Sequence, residues 1–190
     1  VRHIPNDGSV TVIDLASGGI IAEIPVELHP SALAVSPDGR YVVVANSGSD
    51  TLSVIDSGTD RIIEKIWARQ TPADPFGAQP DALEFDPTGR TLYVANGTQN
   101  AVAVIEFEPE TNASRVIGLI PTGWFPSAIR YDAQHRQLCV ANMKGLGAYM
   151  TYPKDQPAKQ HAKDFLGTVS MVPVPSPRRL ASLTRSALWN

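Results

Sequence analysis

Cysteine is nearly missing: one in 190 residues, Cys139. An intrachain disulfide is therefore excluded, and the setting "QLCVAN" reads as a small side chain in a core rather than a reactive thiol. The four histidines, His3, His29, His135 and His161, stand apart, with no HExxH and no paired cysteine, so no metal-ligand spacing is present. GxSxG, phosphate-loop and dinucleotide-binding patterns are absent too. These gaps predict neither a metal nor a cofactor. Basic charge is scarce, 16 Lys and Arg against 19 Asp and Glu for a net charge of -3, which argues against the basic face that nucleic acid requires. No apolar run approaches the roughly 20 residues needed to span a membrane.

What is present is repetition. "SPDGRYVVVANSGSDTLSVID" (Ser36 to Asp56) returns as "DPTGRTLYVANGTQNAVAVIE" (Asp86 to Glu106), and an eroded third copy starts at "DAQHRQLCVAN" (Asp132 to Asn142). Each copy divides into strand-like segments. The first is "SALAVS", "DALEFD" or "SAIRYD", each after a proline (Pro30, Pro80, Pro126). The second ends in Asn46, Asn96 or Asn142, and in two copies is reached through a Pro-x-Gly turn in which Pro sets φ and Gly accepts a positive φ. "TLSVID", "AVAVIE" and "TVSMVP" form the third, and "RIIEKI" and "RVIGLI" the fourth. Asp14, Asp56 and Glu106 mark a period of 42 and then 50 residues, near the 40–45 of four-stranded propeller blades. A β-sandwich has no reason to repeat its sequence.

These words resemble the YVTN β-propeller repeat, with Tyr93, Val94 and Asn96 on its signature and Ala95 in place of Thr. "PTGWFPSAIRYD", "VANMKGLG" and "GTVSMVPVPSPRRLASLT" further resemble bacterial proteins in which such a propeller precedes an alkaline-phosphatase-like phosphoesterase domain. In that group the nucleophile and metal ligands lie in the following domain, so none is assigned here. The expected fold is all-β, a β-propeller of four-stranded antiparallel blades. Thirteen strand segments make an incomplete ring of about three and a half blades, expected to be cut at both ends. Repeat units fall at about 1–29, 30–79, 80–125 and 126–175, with a loop insertion at 143–166. Residues 176–190 carry Leu180, Leu183, Ala187 and Leu188 at helical spacing, predicting an exit helix.

Alternating strand directions place the loops after the second and fourth strands on one face. "WARQTPADPFGAQ" (Trp67 to Gln79), "PTGWF" (Pro121 to Phe125) and the stretch from Met143 to Phe165 share that face, whereas the opposite face carries mostly short turns. Candidate binding residues are Trp67, Phe76, Trp124, Phe125, Lys144, Tyr149 and Tyr152, large or cationic groups that need a core or a partner. Glu84, Asp86, Arg130 and Asp132 stand on the innermost strands as channel-side candidates, with Glu84 and Arg130 expected to pair between blades.

The function expected is a noncatalytic binding or scaffold module of a secreted or periplasmic bacterial protein, and the resemblance implies the N-terminal part of a phosphoesterase. Its loop face would hold a protein domain or a small-molecule ligand. A propeller enzyme of lactonase-like type is the alternative, needing ionisable groups to converge on the channel, and a structural surface-layer repeat is the third. An open ring leaves blade faces uncovered, so self-association of the isolated chain is expected.

Overall fold

The computed structural model describes residues 7–71, 73, 74, 76–147 and 166–189. Among these residues thirteen strands form four antiparallel sheets in chain order. A two-stranded sheet holds β1 (Asp7–Ile13) and β2 (Ile20–Leu28). Two complete blades follow. The first comprises β3 (Pro30–Val35), β4 (Tyr41–Asn46), β5 (Thr51–Asp56) and β6 (Arg61–Trp67). The second comprises β7 (Pro80–Phe85), β8 (Thr91–Asn96), β9 (Ala101–Glu106) and β10 (Arg115–Pro121). A three-stranded sheet of β11 (Trp124–Asp132), β12 (Gln137–Gly145) and β13 (Thr168–Pro173) precedes helix α1 (Pro177–Ala187). Strands β3, β7 and β11 lie beside one another as the innermost strands of an open arc of blades.

Turn chemistry sets the meander. Gly39 and Gly89 adopt φ of 74° and 72° in the turns leading to the second strands. Ser36 and Asp86 do one job there: Ser36 Oγ accepts from the Tyr41 amide at 3.0 Å and Asp86 Oδ1 from the Thr91 amide at 3.0 Å. At the outer turns, Asp14 accepts from the Ser17 amide at 2.7 Å and Asp56 from the Thr59 amide at 2.9 Å, closing equivalent hairpins in successive blades.

Each innermost strand opens with the same irregularity. His29, Gln79 and Phe125, all immediately before a proline, have φ of 51°, 51° and 57°, and the ladder shifts register just after each. A residue before proline ordinarily prefers extended backbone. The left-handed turn produces a bulge that bends the chain from one blade into the next. In the third copy this corrects the expected loop "PTGWF": the chain passes from β10 to β11 through Thr122 and Gly123 alone, and Trp124 and Phe125 open the strand.

The core lies between blades. Tyr41, Val43, Ala45, Leu52 and Val54 of one complete blade meet Leu83, Phe85, Leu92 and Val94 of the next. Tyr93, Ala95, Val102 and Val104 then meet Ile129, Leu138 and Val140 of the three-stranded sheet. Cys139 lies on the opposite face of that sheet and is half-buried rather than in the core, because no further blade covers it.

Helix α1 confirms the helical spacing. Ser176 caps it and Pro177 occupies its first turn. It packs on β10 at Gly118, where a Cβ would come within 2.6 Å of Leu180 Cγ. The Thr184 hydroxyl accepts from the Leu119 amide at 2.9 Å and donates to the Leu180 carbonyl at 2.8 Å.

Candidate functional site

Of the channel-side candidates, Glu84 and Arg130 come together as a joint between sheets, while Asp86 and Asp132 each serve their own turn. Glu84 on β7 accepts from the Tyr131 amide at 3.1 Å and from Arg130 Nη1 at 3.2 Å, tying two innermost strands together. The expected pairing of Glu84 with Arg130 is therefore present. Asp86 caps its turn, accepting from the Arg90 and Thr91 amides and the Thr88 hydroxyl. Asp132 accepts from the Gln137 side chain, the His135 ring at 2.6 Å and the amides of Gln134 and His135. These donors, Gln137 first, lower its pKa to about 2.

The loop face has two separate parts. In the first, Arg69 is only 5% exposed and its guanidinium lies between the rings of Trp67, at 4.6 Å, and Phe76, at 4.5 Å. Asp50, also buried, places Oδ2 3.8 Å from Arg69 Nε and accepts from the Gly77 and Gln79 amides at 2.7 and 2.8 Å. Arg69 further donates to the Asp74 carbonyl. Trp67 and Phe76 thus clamp a buried cation, although Phe76 keeps an exposed outer surface over a shallow cavity of about 400 Å³ shared with His29, Gln79 and Thr98. Neither Arg69 nor Asp50 stands out in the sequence, because a single Arg in a loop and an Asp in a turn carry no spacing signal.

In the second part, Phe125 donates its amide to Asn100 Oδ1 at 2.9 Å and carries Lys144 Nζ 4.7 Å from its ring centre. Lys144 sits on β12, so the insertion begins later than its sequence suggested. Trp124 is half-exposed, and Gly147 packs flat against its indole, where a Cβ would lie 3.3 Å from Cη2. Tyr149 and Tyr152 lie outside the described residues.

Between these parts stands Asp81, the second residue of β7, at the position occupied by Ser31 and Ser127 in the neighbouring sheets. Ser31 donates to the Pro80 carbonyl of the next blade at 2.8 Å. A carboxylate has no proton for such a bond. Oδ2 of Asp81 is buried without a partner, close against Gly97, and burial raises its pKa while Gln79 partly offsets the effect.

A cavity of about 1050 Å³ opens on the other face. It lies between the turns at Ser36–Arg40 and Pro87–Thr91 and the segment Glu106–Thr111. Arg40 and Glu110 bridge across it at 2.7 Å, both exposed. Among the described residues no group of three or more His, Cys, Asp or Glu is placed to hold a metal ion. No described helix is long and apolar enough to cross a membrane.

The arc of blades has counterparts among known proteins. A 73-residue stretch is 33% identical to a seven-bladed beta-propeller protein of Mycobacterium tuberculosis, covering 38% of this chain and 19% of that one. Among solved structures, Kuenenia stuttgartiensis hydrazine synthase superposes with a TM-score of 0.62 at 28% identity, over 74% of this chain and 37% of that one. A functionally unknown protein from Desulfotomaculum acetoxidans gives 0.56 at 18% identity, over 72% and 42%. The chain thus spans about a fifth of the curated relative and less than half of these solved chains. The family model described as lactonase, 7-bladed beta-propeller matches residues 6–117, well over half of the chain, and the chain belongs to that family.

Proposed function

We propose that this chain is a noncatalytic β-propeller module that holds a partner domain or a small ligand on its longer-loop face, in a secreted or periplasmic protein. One observation carries the reading: the channel-side candidates Glu84, Asp86, Arg130 and Asp132 are engaged in holding the fold. Glu84 joins two sheets, while Asp86 and Asp132 each cap a turn. A general base must keep a lone pair directed at substrate. The exposed side chains on this part of the loop face are aromatic and cationic instead: Trp124, and Lys144 over the half-buried ring of Phe125. Aromatic anchors beside a cation are the composition of binding hot spots.

The resemblance to propellers that precede a phosphoesterase supports a partner domain as the occupant. The lactonase-type family match favours the second reading, an enzyme acting on lactones. Both are tested together. The chain is assayed with lactones and activated phosphate esters, with and without added zinc or calcium, beside Glu84→Gln and Asp86→Asn variants. No turnover above buffer supports the module, whereas turnover abolished in either variant while the fold persists supports the enzyme.

A further inference from the structure

The cavity on the face away from the longer loops is charged one-sidedly. Four carboxylates line it, Asp38, Glu106, Glu108 and Glu110, against the two guanidiniums of Arg40 and Arg90. A cleft lined mostly by one sign of charge concentrates the opposite sign. No group of three acids among the described residues is placed to hold a metal ion, so the charge is spread along the cavity rather than gathered at a point. The same walls carry apolar groups, Pro37, Pro87, Pro109 and Ile117, the last 47% exposed. A volume of about 1050 Å³ suits a flexible chain, not a lone ion.

Tyr41 is an independent pointer to a ligand. It is only 6% exposed, and its ring meets Phe107 edge-on at 5.8 Å. The hydroxyl finds no hydrogen-bond partner among the described residues and is not sealed in the core, so it opens on the cavity. Burial raises its pKa, Arg40 lowers it, and Glu110, Asp56 and Asp38 raise it again. The group therefore keeps its proton, and its oxygen retains lone pairs that can accept from a donor.

A cation already occupies part of this space. Arg40 Cζ lies 5.1 Å from the ring centre of Tyr41, and Arg40 Nη1 lies 2.7 Å from Glu110 Oε1. Both side chains of that pair are exposed, and exposed pairs contribute little, so another cation can take Glu110 at small cost. The Glu108 carboxylate has no hydrogen bond or ion pair among the described residues.

We infer that this cavity binds a linear aliphatic polyamine, with the Tyr41 oxygen accepting from one ammonium group, Glu108 and Glu110 neutralising others, and the methylene links lying on the prolines and Ile117. The alternation of charge and hydrocarbon in such a ligand matches the alternation of carboxylates and apolar groups in the walls. The excess of acid disfavours an anion, and Arg90 opposes the cation rather than aiding it. The site lies opposite the longer loops and is independent of the loop-face reading above.

The test titrates spermidine into the full chain by calorimetry at about 0.15 M salt, where exposed charges more than about 8 Å apart are screened. Saturable binding is expected. Tyr41→Phe removes a hydroxyl and Glu108→Gln a charge that bond to nothing within the described chain, so both variants should fold and each should weaken binding about tenfold. Arg40→Ala, which frees Glu110, should strengthen it. Tetralysine, carrying the same ammonium groups on a peptide, is the second probe. Absence of saturable spermidine binding, or an affinity unchanged in Tyr41→Phe and Glu108→Gln, overturns the inference. Weaker binding in Arg40→Ala overturns it in favour of an anionic ligand, and binding of tetralysine without spermidine overturns it in favour of a basic protein segment.

Discussion

The blade from Pro30 to Trp67 and the blade from Pro80 to Pro121 are near copies in sequence and in strand order, yet their innermost strands live in different surroundings. Leu83 and Phe85 are sealed under the preceding blade, whereas Leu33 and Val35 are open to solvent. The difference teaches that a blade does not bury its own inner face. Burial is supplied by the neighbour, as in other architectures where each repeat contacts only the next.

The sharpest way to break that comparison is to truncate the matched pair. Phe85→Ala should destabilise the chain by about 3–5 kcal/mol, while Val35→Ala should change stability by less than about 0.5 kcal/mol, both read from urea unfolding midpoints. Equal losses would mean that the inner face of the first blade is covered in solution.

The connection between the two blades comes next. Asp50→Ala removes the acceptor for two loop amides and leaves Arg69 buried beside a vacancy, a change expected to remove about 3 kcal/mol. Protease sensitivity should rise in the segment 68–79. Unaltered stability would show that the Trp67 and Phe76 rings alone hold Arg69.

A smaller effect is expected where α1 meets β10. Gly118→Ala should cost about 1–3 kcal/mol by forcing Leu180 and Thr184 outward, and helical circular dichroism should fray before the strands melt. A variant as stable as the parent would mean that the helix is not held against the second blade.

The gentlest test is pH. Asp81 has its folded pKa raised above 3.8, so the folded state binds its proton more tightly than the unfolded chain. Its contribution favours folding below 3.8 and is lost as pH rises through the folded value. Asp132 runs the other way, with stability present above 3.8 and lost as pH falls towards about 2. Asp81→Ser, which copies the other two sheets, should flatten the decline on the rising side and let a hydroxyl make the bond that Ser31 makes. A decline that persists in this variant would assign it to another group.

The strands were legible because their signals are local. The repeated strand-like segments, the Pro-x-Gly turns and the repeated Asn46, Asn96 and Asn142 all act within a few residues of where they are written. Buried side-chain amides at these three positions bond chiefly to polar side chains, with Asn46 donating to Thr51 and Ser53 and Asn142 to Thr168 and Ser170. The site was read less completely. Trp124 and Phe125 stand out in the sequence, but nothing in "GWFP" announces a left-handed residue before a proline, so the strand they open is not legible there. The unpaired oxygen of Asp81 and the clamp around Arg69 were invisible, because each depends on residues from separate turns brought together by the stacking of blades.

The sequence by itself determined the blade: its four strands, their order and hairpin turns, and the helix after Ser176, because hydrogen-bonding and turn preferences operate over short chain distances. Only the tertiary structure decided which copies of that blade are covered. Leu33 and Leu83 are the same residue at the same place in the repeat. One is exposed and the other buried because apolar burial depends on what lies across the interface, and that lies on another sheet.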